Sequence, residues 1–315
     1  MLHFIVNLNA SSGKGREIWD VVNRELKRRS VEHTVYITKH RGHARQLVTS
    51  LTTGLIEANQ KINIVAIGGD GTINEVVNGI VDFSHTIIGY IPAGSGNDLA
   101  RGLGIQTDPV KALEVILKSL ECEDASTCTI AMDVGVLRRN GKENRFAVST
   151  GIGFDAAVCH QVQVSRLKKI LNKVKLGKLT YVAIALDRIF SDAPTPVEVT
   201  FEDGSKRLYP EVFFIAAMNT PFEGGGLQLC PEASCVDGLL DVIIVTEVSR
   251  LSVLFMLPKA MKGKHIGNKA VEIHRVKKIE LHAENPMMLH TDGEPLFLRK
   301  DMEVEIIEQK MRVIT

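Results

Sequence analysis

Two short apolar runs, Ile62-Asn63-Ile64-Val65-Ala66-Ile67 and Thr86-Ile87-Ile88-Gly89-Tyr90-Ile91, each lead into a glycine-rich segment. The first runs straight into Gly68-Gly69-Asp70-Gly71-Thr72, the second into Pro92-Ala93-Gly94-Ser95-Gly96-Asn97-Asp98. Runs this short and this apolar read as strands covered on both faces. Around them the pattern is helical: Ile18, Val22 and Leu26 recur on one helix face, and residues 44–58 and 73–80 read as helices. Residues 2–8 and 35–38 complete a strand–helix alternation. Such alternation gives a mostly parallel sheet with helices on both faces. Both glycine loops then leave the carboxyl edge of that sheet.

From about residue 129 strand-like runs dominate: 129–136, 145–149, 196–201, 211–218, 240–245, 279–281 and 303–307. Asp203-Gly204, Asp237-Gly238 and Asp292-Gly293 are turn signals between them. One helical stretch, residues 164–188, interrupts the series. The expected fold class is α/β in two domains. Residues 1–130 are expected to form an α/β domain, and residues 131–297 a β-rich, antiparallel, sandwich-like one.

The 38 Lys and Arg against 37 Asp and Glu leave a net charge of +1, which gives no global pull on nucleic acid. Aromatic residues are 5%, too few for base-stacking platforms. The five cysteines are odd in number and lack CxxC spacing, so we expect reduced thiols and neither a disulfide framework nor a zinc site. The first residues read as a strand without a basic leader, and no apolar run nears the ~18–20 residues of a membrane span. The expectation is a cytoplasmic protein that meets a membrane only from outside.

Three glycines in Gly68–Thr72 allow a tight turn and close approach to a ligand. The helix start that follows offers N–H groups and partial positive charge to a phosphate. Asp70 is a poor neighbour for phosphate unless a divalent cation lies between them; a plain glycine turn capped by Asp70 or Thr72 is the alternative. The first strand–helix loop, Asn9 to Gly15, adds small residues and Lys14 but is neither a Walker A nor a dinucleotide fingerprint. Asp133 sits in the apolar run Ile130-Ala131-Met132-Asp133-Val134, where a buried carboxylate needs a partner or a metal. Glu294, just after Asp292-Gly293, is either a base or an exposed hairpin glutamate. His40 and His43 are expected to make ordinary hydrogen bonds.

At these segments the chain resembles the diacylglycerol kinase catalytic domain family, in its bacterial soluble lipid kinase branch. The likeness extends through residues 38–44, Met132-Asp133-Val134-Gly135, Gly151-Ile152-Gly153-Phe154-Asp155, residues 218–226 and 231–241, and Thr291-Asp292-Gly293-Glu294. The resemblance implies ATP binding at Asn9, Thr38, Gly68, Gly69, Asp70, Gly71, Thr72, Ile73, Asn74 and Ser95. It implies Glu294 as general base and Asp70, Asp98 and Asp133 as the acidic set around a catalytic Mg²⁺. A second, structural Mg²⁺ falls to Ser234, Asp237 and Leu239. It further implies that residues 298–315 return to the first domain and that the active site lies in the cleft between domains.

Two positions depart from the family pattern: Ala10 stands for a proline, and Gly94-Ser95 for Gly-Thr. The serine keeps the hydroxyl but widens the choice of lipid. The implied reaction moves the ATP γ-phosphoryl to diacylglycerol, giving phosphatidic acid in phospholipid biosynthesis. Alternatives are another lipid acceptor (a sphingoid base, phosphatidylglycerol or undecaprenol), a soluble-metabolite kinase of the NAD kinase or phosphofructokinase type, or a silent lipid-binding regulator. The basic, apolar-interleaved residues 166–178 read either as a helix on an anionic bilayer or as a solvated face. Lys259, Lys262, Lys264 and Lys269 form a second basic stretch, read as loop. A homodimer is one expected assembly.

Overall fold

A computed structural model describes residues 1–57, 60–122, 127–139, 141–164 and 177–315. It divides into two units, Met1–Val134 with Ile307–Thr315, and Gly135–Ile306. The sequence reading puts these junctions at 130 and 297. The first moves because the run 129–136 breaks after β5, so the chain changes unit only after Val134; the second moves because β16 runs on to Ile306 within the second unit.

The first unit contains β1 (Leu2–Val6), α1 (Lys14–Arg28), β2 (His33–Ile37), α2 (His43–Glu57), β3 (Ile62–Gly68), α3 (Asp70–Gly79), β4 (Thr86–Pro92), α4 (Asp98–Gly102), α5 (Pro109–Leu120) and β5 (Ile130–Met132). The second continues with β6 (Gly135–Arg139), β7 (Lys142–Phe146), β8 (Ser149–Gly153), α6 (Phe154–Val164), α7 (Gly177–Ser191), β9 (Thr195–Phe201), β10 (Lys206–Met218), β11 (Phe222–Glu223) and β12 (Leu227–Gln228). It ends with β13 (Leu240–Thr246), α8 (Arg250–Ala260), β14 (Val271–Val276), β15 (Lys278–Thr291) and β16 (Glu294–Ile306), after which β17 (Met311–Val313) belongs to the first unit again.

The first sheet has the order β2-β1-β3-β4-β17-β5. Strands β1 to β4 and β17 are parallel, and β5 runs against β17. Helix α1 turns Ile18, Trp19, Val22 and Leu26 onto the core that holds Phe4, Val65 and Ile67. Burying each such side chain fully is worth about 1.5–3 kcal/mol. Asp108 starts α5 by accepting the Val110 and Lys111 N–H groups, with Pro109 at its first position. That helix escapes the sequence reading.

In the second unit the long strands β10 and β15 each pair with both β8 and β9. Register shifts between Val212 and Phe214, and between His282 and Met287, let each long strand leave one partner for the other. Gly151 and Gly153 admit close neighbours: a Cβ on Gly153 would meet the Phe213 carbonyl oxygen at 2.6 Å.

Four expectations change. The run 145–149 is the end of β7 and the start of β8, not one strand. The run 129–136 is two strands, β5 and β6, one in each unit. Cys122 and Cys128 are not free thiols but form a disulfide, their Cα atoms 6.7 Å apart. Lys259 lies in the last turn of α8, so only the rest of that basic stretch is loop. Most of the basic stretch 166–178 lies outside the described residues. Among the described residues no helix is long and apolar enough to cross a membrane.

Candidate active site

The ends of β1, β2, β3 and β4 carry the expected nucleotide-binding residues. Thr38 donates its N–H to Val6 O at 2.9 Å, and Asn9 donates to the Asn7 side chain at 3.1 Å. After Asn9 the backbone holds three successive positive φ values, at Ser11 (45°), Ser12 (60°) and Gly13 (107°). Left-handed conformation at two serines is strain of the kind found at ligand sites, and successive N–H groups in such turns form concavities for anions.

The two later glycine loops touch. A Cβ on Gly94 would lie 2.7 Å from the Gly69 Cα, and a Cβ on Gly68 would meet Thr72 at 2.4 Å. Gly68 O accepts Ala93 N–H at 2.6 Å, and Thr72 Oγ1 accepts the Asn7 amide at 3.0 Å. Gly69 precedes α3 without a side-chain cap. Gly71 is half-buried; Thr72, Ile73 and Asn74 are buried, whereas Ser95 is exposed.

Asp70 binds the loops together. Its Oδ2 accepts the Asn97 N–H and its Oδ1 the Asp98 N–H, both at 2.8 Å. Burial pushes this carboxyl up, against those hydrogen bonds. Asp98 is buried and pairs with Arg101 at 3.0 Å. Burial first, then the charges of Asp70 and Asp98, pushes the Tyr90 hydroxyl well up. The carboxylate oxygens of Asp70 and Asp98 are donors of the kind a hard cation takes.

Asp133 stands apart from this pair. Arg312 pairs with Ile87 and Met311 with Met132, so Asp133 follows β5 near the level where β4 begins. Asp70 and Asp98 belong to loops where β3 and β4 end. The carboxylate of Asp133 is fully buried and ion-paired with Lys310, where the chain has returned from the second unit.

In the second unit Asp292 and Gly293 join β15 to β16 with φ of 46° and 74°, the positive pair that a two-residue type I′ hairpin needs. Glu294 follows, half-buried. Asp292 is buried, and its carboxylate accepts the N–H groups of Ala147, Val148 and Ser149 at 3.1, 2.8 and 3.0 Å. These bonds commit it to holding the turn and leave Glu294 as the turn's candidate base.

His290 completes the hold. Its Nδ1 accepts the Gly293 N–H at 3.1 Å, and its Nε2 faces Asp155 Oδ2 at 2.9 Å and Glu223 Oε1 at 3.1 Å. Burial pushes the ring down, but the Glu223 and Asp155 carboxylates outweigh it and hold the pKa at about 9. The Gly293 N–H opposes a proton on Nδ1, so turn and carboxylates pull the ring in opposite directions. Cys159, Glu223 and His290 also offer ligand atoms within 4.8 Å of one another. Asp155 and Glu223 already face Nε2, the nitrogen such an ion would need.

Ser234, Asp237 and Leu239 lie before β13. Asp237 Oδ1 accepts the Leu239 N–H at 3.0 Å, while Oδ2 meets the Arg275 guanidinium. Oxygen donors of the right kind are present, but a cation there competes with Arg275.

Sequence reasoning missed Asn97, Glu75 and the His290 cluster. Asn97 takes φ 53° and accepts the Gly94 N–H at 2.8 Å. Glu75 accepts the N–H groups of Gly42 and Ala44, at 2.7 and 3.0 Å, at the start of α2. Asn97 lies inside the motif and was legible as a turn residue; the others depend on distant partners. His43 and His40 make ordinary hydrogen bonds, as expected.

Joined glycine loops on a parallel sheet, with a separate antiparallel unit presenting a carboxylate on a tight hairpin, are the parts of a two-domain kinase. Residues 1–129 match the diacylglycerol kinase catalytic domain, and residues 147–315 match the YegS C-terminal NAD kinase beta sandwich-like domain. A Bacillus subtilis protein named "Putative lipid kinase YtlR" is 30% identical over 292 residues, 92% of each chain. A solved diacylglycerol kinase from Bacillus anthracis superposes with a TM-score of 0.67 at 19% identity, covering 99% of this chain and 96% of that one. An NAD kinase from Archaeoglobus fulgidus, solved in complex with ATP, shares the fold at a TM-score of 0.55 and 14% identity, covering 100% and 94%. The chain belongs to the diacylglycerol kinase and YegS-like family of lipid kinases.

Proposed function

We propose that this lipid kinase transfers the γ-phosphoryl group of ATP to the primary hydroxyl of diacylglycerol, giving phosphatidic acid. The observation that carries the reading is the glycine-to-glycine contact of the two loops, locked by the Asp70 carboxylate on Asn97 and Asp98. Backbone N–H groups there receive the nucleotide phosphates, and Asn9, Thr38 and Ser95 contribute polar groups around them. Asp70 and Asp98 would hold Mg²⁺, which neutralises phosphate charge when bound. Glu294 takes the hydroxyl proton as the oxygen attacks the γ-phosphorus; the bond to the β-phosphate oxygen breaks and ADP leaves. Asp133 joins the magnesium set in the family reading; here Lys310 already balances its charge. Ser234, Asp237 and Leu239 are read as a structural Mg²⁺ site in competition with Arg275. The enzyme works at the membrane surface from outside.

Incubating the protein with labelled ATP and total membrane lipids tests the reading. Labelled phosphatidic acid is expected. A labelled product from another lipid would change the acceptor, and transfer only to a water-soluble metabolite would overturn the lipid assignment.

A further inference from the structure

We infer that the outer face of α8 and the loop after it is the surface by which this chain rests on an anionic lipid bilayer. Helix α8 buries Val253, Met256 and Ala260 and leaves Leu251 and Phe255, four residues apart on one stripe, 63% and 73% exposed. Met261 and Ile266 continue the apolar exposure at 54% and 43%. Lys259, Lys262, Lys264 and Lys269 are exposed around them, and residues 250–271 contain no Asp or Glu.

This surface is built. Ser249 caps α8 by accepting the Ser252 N–H, and Arg250 donates to the carbonyls of Ile189, Phe190 and Asp192 at the end of α7. Beyond the helix, Lys262 and Lys264 donate their N–H groups to Lys259 O at 3.0 and 2.9 Å. His265 turns inward, buried, with Nε2 3.0 Å from Leu229 O. Its neighbours Lys264 and Ile266 therefore turn outward. Lys259, Lys264 and Ile266 help line a shallow concavity of about 230 Å³, with ammonium groups suited to a lipid phosphate.

Charge selects the occupant. An apolar ridge among four lysines, with no acid within residues 250–271 and Glu247 beside Lys269 at its edge, matches a negatively charged interface, where apolar side chains enter the acyl boundary and lysines meet head groups. A symmetric dimer through this face would set lysines against lysines. The inference rests on the lipid-kinase reading for its purpose, but its test needs no turnover.

The test is sedimentation with phosphatidylcholine vesicles, with and without phosphatidylglycerol and in the absence of ATP. The wild type should bind the anionic vesicles. Replacing Lys259, Lys262 and Lys264 together by Gln should weaken binding about 100-fold, at roughly a factor of five per lysine. Leu251→Ser with Phe255→Ser should weaken it about tenfold or more while leaving its salt dependence. Turnover of a dispersed short-chain diacylglycerol should stay unchanged in both. The inference is overturned if the wild type ignores anionic vesicles or if both variants bind like it. It also fails if only replacement of Lys168, Lys169 and Lys173 matters, if inorganic phosphate displaces the protein where chloride of equal ionic strength does not, or if Phe255 drives self-association instead. Wild-type protein that binds vesicles yet labels no lipid would count against the kinase reading alone.

Discussion

Asp292 and Val148, 144 residues apart in the chain, meet in a buried carboxylate–amide hydrogen bond of 2.8 Å. The same carboxylate takes the N–H groups on either side of Val148, so three consecutive amides define where the β15–β16 hairpin sits. Asp292→Asn replaces one acceptor oxygen by an NH₂ group facing those donors. At least one bond to a charged group is lost, about 1.5–3 kcal/mol. Urea unfolding should show that loss, with a fall in kcat as the turn shifts; unchanged stability would mean that the amides find another partner.

Glu294→Gln keeps the shape and cannot accept the proton. General-base assistance is typically worth 10²–10⁴-fold, so kcat should fall by roughly that factor with little change in KM for ATP. The melting temperature should hold. Full turnover would remove Glu294 from the mechanism.

Gly94→Ala places a methyl group 2.7 Å from the Gly69 Cα, backbone against backbone. One loop must move, and ATP should no longer raise the melting temperature. Gly54→Ala is the control: its Cβ meets nothing within 4 Å in α2, and it should stabilise by about 0.8–1 kcal/mol. An ATP response in Gly94→Ala equal to the wild type would sink the phosphate cradle.

His290, held at about 9 against an ordinary 6.5, keeps its proton where the unfolded chain loses it. Its contribution is complete below pH about 6.5 and disappears as the pH rises through about 9. The unfolding free energy should therefore decline across that window, and His290→Gln should flatten the decline. An identical slope in the variant would reassign the titration.

Mg²⁺ competing with Arg275 for Asp237 should raise the melting temperature more in Arg275→Gln than in the wild type. Equal shifts would leave Arg275 as the sole partner of that carboxylate.

The alternation of apolar strands and amphipathic helices, the two glycine loops and the Asp-Gly turns were readable directly, because each is local chemistry: strand burial, φ freedom and helix periodicity act within a few residues. The two domain types followed from them. Local pattern was silent on where β10 and β15 change partners, because a register shift depends on the neighbouring strand. It was silent too on the disulfide between Cys122 and Cys128.

By itself the sequence determined which residues are glycine at the loops and which carboxylates stand beside them. Only the tertiary structure decided what those carboxylates do. Asp70 and Asp98 meet because β3 and β4 are parallel and end together, whereas Asp133 follows a strand of the opposite direction and finds Lys310. Asp292 and Glu294, two residues apart, part company because distant amides of the β7–β8 connection capture one carboxylate. A carboxylate's role is set by which donors and charges the folded chain brings to it, and those partners lie too far along the sequence for any local pattern to announce them.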